Sequence, residues 1–174
     1  MSMLDIIYVR SQPPTDEEIL SFDEMITSPD QTQWDYEETK EEPGKSPDEV
    51  IKFFREKVLA QERNYGFWAR MNGQIVGLAG INVFKEPHRS HCAELGFGVR
   101  KDYQRRGIGY QLVRRAIDKA RELNLKRLEA ECFADNVAAI ALLRKTGFNE
   151  EGMRVGAVKK KGSLRDSRLF GLLL

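Results

Sequence analysis

The chain has 174 residues, 41% of them hydrophobic and 32% charged, with a formal net charge of +1. That is enough for one domain with a sizeable core and sits in the range of ordinary soluble globular proteins. No apolar run approaches the roughly 18 residues of a membrane span, MSMLDIIYVR lacks the pattern of a signal peptide, and Cys92 and Cys132 read as reduced thiols of a cytoplasmic protein. The near-neutral total hides an asymmetry. Residues 15–50 carry 13 acidic side chains against Lys40 and Lys45, a balance of −11, and residues 85–174 carry 20 basic against 11 acidic, a balance of +9. A ligand with several phosphates favours the second half and a cationic one the first.

In chain order, DIIYVR (5–10) alternates weakly and predicts a strand. Thr15 and Glu18 form a capping box for a helix through Ile26. The polar stretch 28–46 carries two prolines and predicts a long loop. Ser46 and Pro47 then start a helix over 47–61, with Ser at the N-cap and Pro at the first helical position. YGFWARM (65–71) and QIVGLAGINVF (74–84) flank Asn72-Gly73, a strong two-residue hairpin signal. Further strands are expected over 91–100, 127–133 and 168–174, and a short helix over 136–148, which Asn136 can cap and Gly147 can stop. The apolar end FGLLL reads as a core strand or as a homodimer seam. The fold class is an α/β layered protein (α+β in its segregation): one domain over 1–174, with a mixed, mostly antiparallel central sheet flanked by helices.

The most informative stretch is DYQRRGIGYQLVRRAIDKA, residues 102–120. Gln104, Arg105 and Arg106 lead into Gly107 and Gly109, and these lead into a helix. Its apolar residues, Ile108, Leu112, Val113, Ala116, Ile117, Ala120 and Leu123, fall on one stripe. A helix start has unpaired N–H groups and partial positive charge. Glycines at 107 and 109 remove side chains that would keep an anion away, and the arginines add full charges. A phosphate or diphosphate is the natural guest. No G-x-x-x-x-G-K-[ST] exists, and a dinucleotide G-x-G-x-x-G fails at Leu112, although Glu129 lies at a suitable distance for a ribose.

Q-R-R-G-I-G at 104–109 resembles the Q/R-x-x-G-x-G/A signature of the GNAT family of N-acetyltransferases. GFGVRKDYQRRGIGYQLV is similar to that family's central strand, loop and helix, and Asn136 to Phe148 to its next sequence block. EEGMRVGAVKKKGSLRDSRLFGLLL is similar to the tail of its ribosomal-protein, polyamine and amino-acid acetylating branches. The resemblance covers about 65–174. It implies acetyl-CoA as co-substrate, with the diphosphate on the backbone N–H groups of Arg105, Arg106, Gly107, Ile108, Gly109 and Tyr110. Gln104 would order the loop, the backbone of Phe97, Gly98 and Val99 would pair with the pantetheine arm, and Asn136 would contact it. A strand N–H at Val99 would steady the thioester oxygen.

The implied reaction is attack of a neutral amine on the thioester, which requires a base. Glu94 is the candidate, with His88 and His91 as alternatives in a polar connection. Many family members carry a tyrosine general acid where Leu143 stands here, which leaves Tyr110, Cys132 or water to protonate the thiolate. The missing tyrosine also opens an alternative function, a non-catalytic acyl-CoA sensor on the same fold. The acceptor, a small-molecule or peptide amine, is expected between the 28–46 loop and the strand ends, against Trp34, Tyr36 and Glu94, with Phe53 and Phe54 beside them unless these pack in the core. Aromatics among acids suit a cationic amine. No metal, nucleic-acid or membrane partner is expected. His88, His91 and Cys92 lack a fourth ligand at matching spacing, and Lys159-Lys160-Lys161 reads as a solvated turn.

Overall fold

The computed structural model of the protein describes residues 4–27, 46–160 and 162–174. The elements in chain order are β1 (Asp5–Tyr8), α1 (Asp16–Thr27), α2 (Pro47–Phe53), β2 (Asn64–Met71), β3 (Gln74–Val83), β4 (Cys92–Val99), α3 (Ile108–Glu122), β5 (Arg127–Phe133), α4 (Val137–Lys145), β6 (Asn149–Lys160) and β7 (Ser163–Leu173). The strands form one seven-stranded sheet in the order β1-β2-β3-β4-β5-β7-β6. Neighbours are antiparallel except β4 and β5, which α3 connects in parallel. This is the layered, mostly antiparallel architecture expected. No described helix is long and apolar enough to cross a membrane.

Side-chain alternation places cores on both sides of the sheet. On one side, the apolar stripe of α3 (Ile108, Leu112, Val113, Ala116, Ile117, Ala120) is wholly buried against Phe67, Val76, Ala79, Ala93 and Leu95. On the other side, Trp68 and Ile75 pack with Ile7, Val9, Ile19 and Phe54 beneath α1 and α2, and Phe22 stacks on Trp68 with centroids 4.6 Å apart. The Asn72-Gly73 turn holds both residues at positive φ, 52° and 76°, the left-handed backbone that a tight β2–β3 hairpin requires.

Two expectations need correction. The helix predicted over 47–61 is α-helical only to Phe53 and continues as a π-turn over Phe54–Val58. Ser46 caps it as expected: its Oγ accepts from Glu49 N–H, and the Glu49 carboxylate accepts from Ser46 N–H. The second concerns the C-terminal tail. Residues 149–160 were not expected as a strand, yet β6 is twelve residues long and pairs with β7, which begins at Ser163 rather than at 168. β6 is an edge strand with exposed Met153 and Val155, and its register shifts between Glu150 and Gly152 and again between Arg154 and Val158. Two shifts and no buried face erase the alternation by which a strand is read. Lys159 and Lys160 therefore end a strand, and are not a turn.

One buried carboxylate ties the N-terminal elements together. Glu18, 6% exposed, completes the capping box of α1: it accepts from Thr15 N–H at 3.0 Å, and Thr15 Oγ1 accepts from Glu18 N–H at 3.2 Å. Arg70 on β2 donates to Glu18 at 2.8 Å and to Asp5 on β1 at 2.6 Å. Removing the guanidinium leaves Glu18 desolvated without its cation. Arg70→Met is expected to lower unfolding free energy by about 2 kcal/mol, read by urea denaturation. A loss below about 0.5 kcal/mol, the size of an ordinary surface change, would contradict this role.

Candidate functional site

At the carboxyl end of β4 the chain makes a short 3-10 turn, Lys101–Tyr103, and enters α3 through residues 104–107. Arg105 and Gly107 both adopt left-handed backbone, φ 61° and 78°, and Gly107 is the N-cap of α3. No side chain caps this helix, so its first-turn N–H groups, at Ile108, Gly109 and Tyr110, remain available. The Gln104 amide donates to Val99 O at 3.1 Å and fixes the loop to the strand end. Arg106 donates to Asp102 O at 2.9 Å and lies over the Tyr103 ring at 5.2 Å. A Cβ added at Gly107 would meet nothing within 4 Å, so the turn opens on free space as an anion cradle needs. Gly109 is different. Its Cβ would point inward, 3.1 Å from Leu142 and 3.5 Å from Val99. Of the two glycines expected to leave the turn open, Gly107 faces free space, whereas Gly109 faces Leu142 and lets α4 approach α3.

β4 and β5 part beside this turn. Their ladder has three pairs, Cys92 with Arg127, Ala93 with Leu128 and Glu94 with Glu129, and it stops there. β4 meanwhile stays paired with β3 to Val99, and β5 with β7 to Phe133. Arg100 N–H donates to Val76 O and Phe84 N–H to Cys92 O, which fixes the phase of the β3–β4 ladder. By alternation, the N–H groups of Phe97 and Val99 turn away from β3 into the gap, while those of Gly98 and Gly96 serve β3. Among the described residues, an unpaired strand edge therefore runs from the parting point to the uncapped start of α3. Across the gap stand Cys132, half-buried, its thiol pushed up to about 11 by burial, and Asn136. Asn136 caps α4, its Oδ1 accepting from Ala139 N–H at 3.0 Å.

The face of the sheet turned away from α3 carries three carboxylates in adjacent positions: Glu94 on β4, and Glu129 and Glu131 on β5. Two are neutralised. Glu129 accepts from Arg89 at 2.8 Å and Arg127 at 3.1 Å, and the Arg89 guanidinium lies over Phe84 at 3.7 Å. Glu131 accepts from Arg154 at 3.1 Å and from the buried Ser167 hydroxyl. Arg127 also binds Glu151 and holds that carboxyl below the usual range. The Glu94 carboxylate is exposed and makes no hydrogen bond or ion pair among the described residues.

Of the expected acceptor contacts, Trp34 and Tyr36 lie outside the described residues. Phe54 is buried against Phe22 and Trp68, a core role, whereas Phe53 is 49% exposed. His88 and His91 are exposed in the β3–β4 connection. Leu143, where a tyrosine is usual by resemblance, is fully buried in the main core. Sequence reasoning missed Glu131 and Arg89, and weighed Glu129 only as a ribose ligand, whereas two arginines occupy it. Alternation in RLEAECF puts both glutamates on one face, but only the parallel β4–β5 register brings them beside Glu94.

The chain is similar to several known proteins. Over 85 residues the chain is 36% identical to the L-amino acid N-acetyltransferase AaaT of Escherichia coli K12, covering 48% of this chain and 52% of that protein. Over 96 residues it is 38% identical to the N-alpha-acetyltransferase RimI of Mycobacterium tuberculosis, covering 55% and 59%. The matched part thus spans little more than half the length of these curated relatives. Among solved structures, yncA of Salmonella typhimurium with its cofactor acetyl-CoA shares the fold, with a TM-score of 0.73 at 17% identity over 98% of this chain and 93% of that one. Residues 28–148 match the Acetyltransferase (GNAT) family. That stretch takes in the parted strands, the uncapped helix start and α4, and on it the chain belongs to the Acetyltransferase (GNAT) family.

Proposed function

We propose that the protein is an acetyl-CoA-dependent N-acetyltransferase acting on a primary amine of a small-molecule or peptide acceptor that carries positive charge. The observation that carries this reading is the position of Glu94. Of three carboxylates on its face it alone lacks an arginine among the described residues, and it stands at the pair where β4 and β5 part.

When bound, acetyl-CoA supplies an acetyl group activated as a thioester. The residues present fit it. The N–H groups from Arg105 to Tyr110, at an uncapped helix start that Gly107 leaves open, suit the diphosphate. Gln104 holds Val99 in place, and the N–H groups of Phe97 and Val99 line the pantetheine arm in the manner of an added strand. Gly98 contributes by keeping β4 anchored on β3, and Asn136 borders the far side of the gap. Val99 is at the cradle end and Phe97 two residues nearer the parting point. The geometry therefore favours Phe97 N–H, instead of Val99, as the donor that steadies negative charge on the thioester oxygen. Glu94 takes the proton of the acceptor ammonium, directly or through one water, and releases a neutral amine for attack. Glu129 and Glu131, already bound to arginines, are poorer proton acceptors. No side chain is assigned to the leaving thiolate.

The burial of Leu143 favours a second reading, a non-catalytic acyl-CoA sensor. Release of free thiol from acetyl-CoA with a panel of amines separates the two. Turnover is expected, faster with polyamines than with neutral amines, and no release with any amine would leave the sensor standing. Glu94→Gln is expected to lower kcat about 100-fold, most steeply at low pH where the amine is protonated, with cofactor affinity unchanged; full activity in this variant excludes Glu94 as the base. Gly107→Glu puts a carboxylate into the open cradle and is expected to weaken coenzyme A binding at least about tenfold by calorimetry, through like-charge repulsion and left-handed backbone strain. Equal affinity in the folded variant would refute the diphosphate seat.

A further inference from the structure

Coenzyme A carries a third phosphate, on the 3′-oxygen of its ribose, which the cradle amides do not account for. This phosphate is close to a dianion at neutral pH. We propose that Lys145 binds it. The inference rests on the cofactor seat described above.

The cations around the first turn of α3 sort by what they already hold. Arg106 is engaged with Asp102 O and the Tyr103 ring. Arg144 donates to Glu150 at 2.8 Å, and Arg114 lies 4.0 Å from Asp118. Arg105, in the loop itself, and Lys145, the last residue of α4, have no carboxylate partner among the described residues, and of these two Lys145 is the one a neighbouring ring positions, its Nζ 5.0 Å from the centre of the Tyr110 ring. Tyr110 belongs to the turn whose N–H groups face the cradle. The contact follows from the packing of the two helices. Leu142, one turn before Lys145, fits where Gly109 has no side chain, so the last turn of α4 runs beside the first turn of α3. The ring keeps the ammonium beside the cradle and leaves its N–H donors free, because a cation–π contact uses charge rather than hydrogen-bond acceptors. A lysine offers a compact charge with rotatable donors, suited to a terminal phosphate monoester.

The test is equilibrium binding by calorimetry, in low salt, of coenzyme A and of 3′-dephospho-coenzyme A. The wild type is expected to prefer coenzyme A about tenfold, the scale of one charge-assisted hydrogen bond. Lys145→Met should bring the ratio close to one while dephospho-coenzyme A binds as before, and Lys145→Arg should keep the preference. An unchanged ratio in Lys145→Met overturns the assignment, as does loss of the preference in Arg105→Met with Lys145→Met unaffected. If the wild type binds neither ligand, the cofactor seat fails and this inference fails with it.

Discussion

The parting of β4 from β5 is the constraint from which the site follows. Each strand is held on its outer side, β4 by β3 and β5 by β7, so the inner ladder can stop at Glu94 and Glu129 without either strand losing its place. Parallel strands need a crossover, and here the crossover is α3, which must begin near the end of β4. One topological fact thus places an uncapped helix start, an unpaired strand edge and a carboxylate along one line. Gln104, bonded to Val99 O, joins the first two.

Charge is arranged around that line with similar economy. Ion pairs between exposed groups contribute little stability, and those on the face that bears Glu94 are better understood by what they leave over. Arg89 and Arg127 occupy Glu129, Arg154 and Ser167 occupy Glu131, and the Glu94 carboxylate is left unpaired among the described residues. On the opposite side of the gap the sign reverses. Arg105 and Lys145 border the uncapped helix start, whose amides favour anions, and the proposed phosphate-rich donor and basic acceptor would each meet the opposite charge.

Much of this was legible in the residues. The six-residue run QRRGIG, the period of the α3 stripe and the Asn72-Gly73 turn are local signals, and local signals survive folding. Ser46 and Thr15 announce their caps for the same reason. The role of Gly109 was not legible, because whether a missing side chain faces a ligand or another helix depends on where α4 lands. Glu131 and Arg89 were hidden because their importance rests on strand register between segments more than thirty residues apart, Arg89 with Glu129 in particular. β6 was hidden because it has no buried face to write a period into the sequence, and its bulges break what alternation exists.

The edge at Phe97 and Val99 offers main-chain atoms, which every amino acid except proline supplies alike. Selection therefore has little to police there beyond keeping proline out and the strand straight. Main-chain donors of this kind tolerate exchange of the side chains around them. The fold itself is shared with yncA at only 17% identity, over 98% of this chain. The carboxylate-bearing face is built the other way, from charged side chains, so there a single exchange changes the charge the face presents.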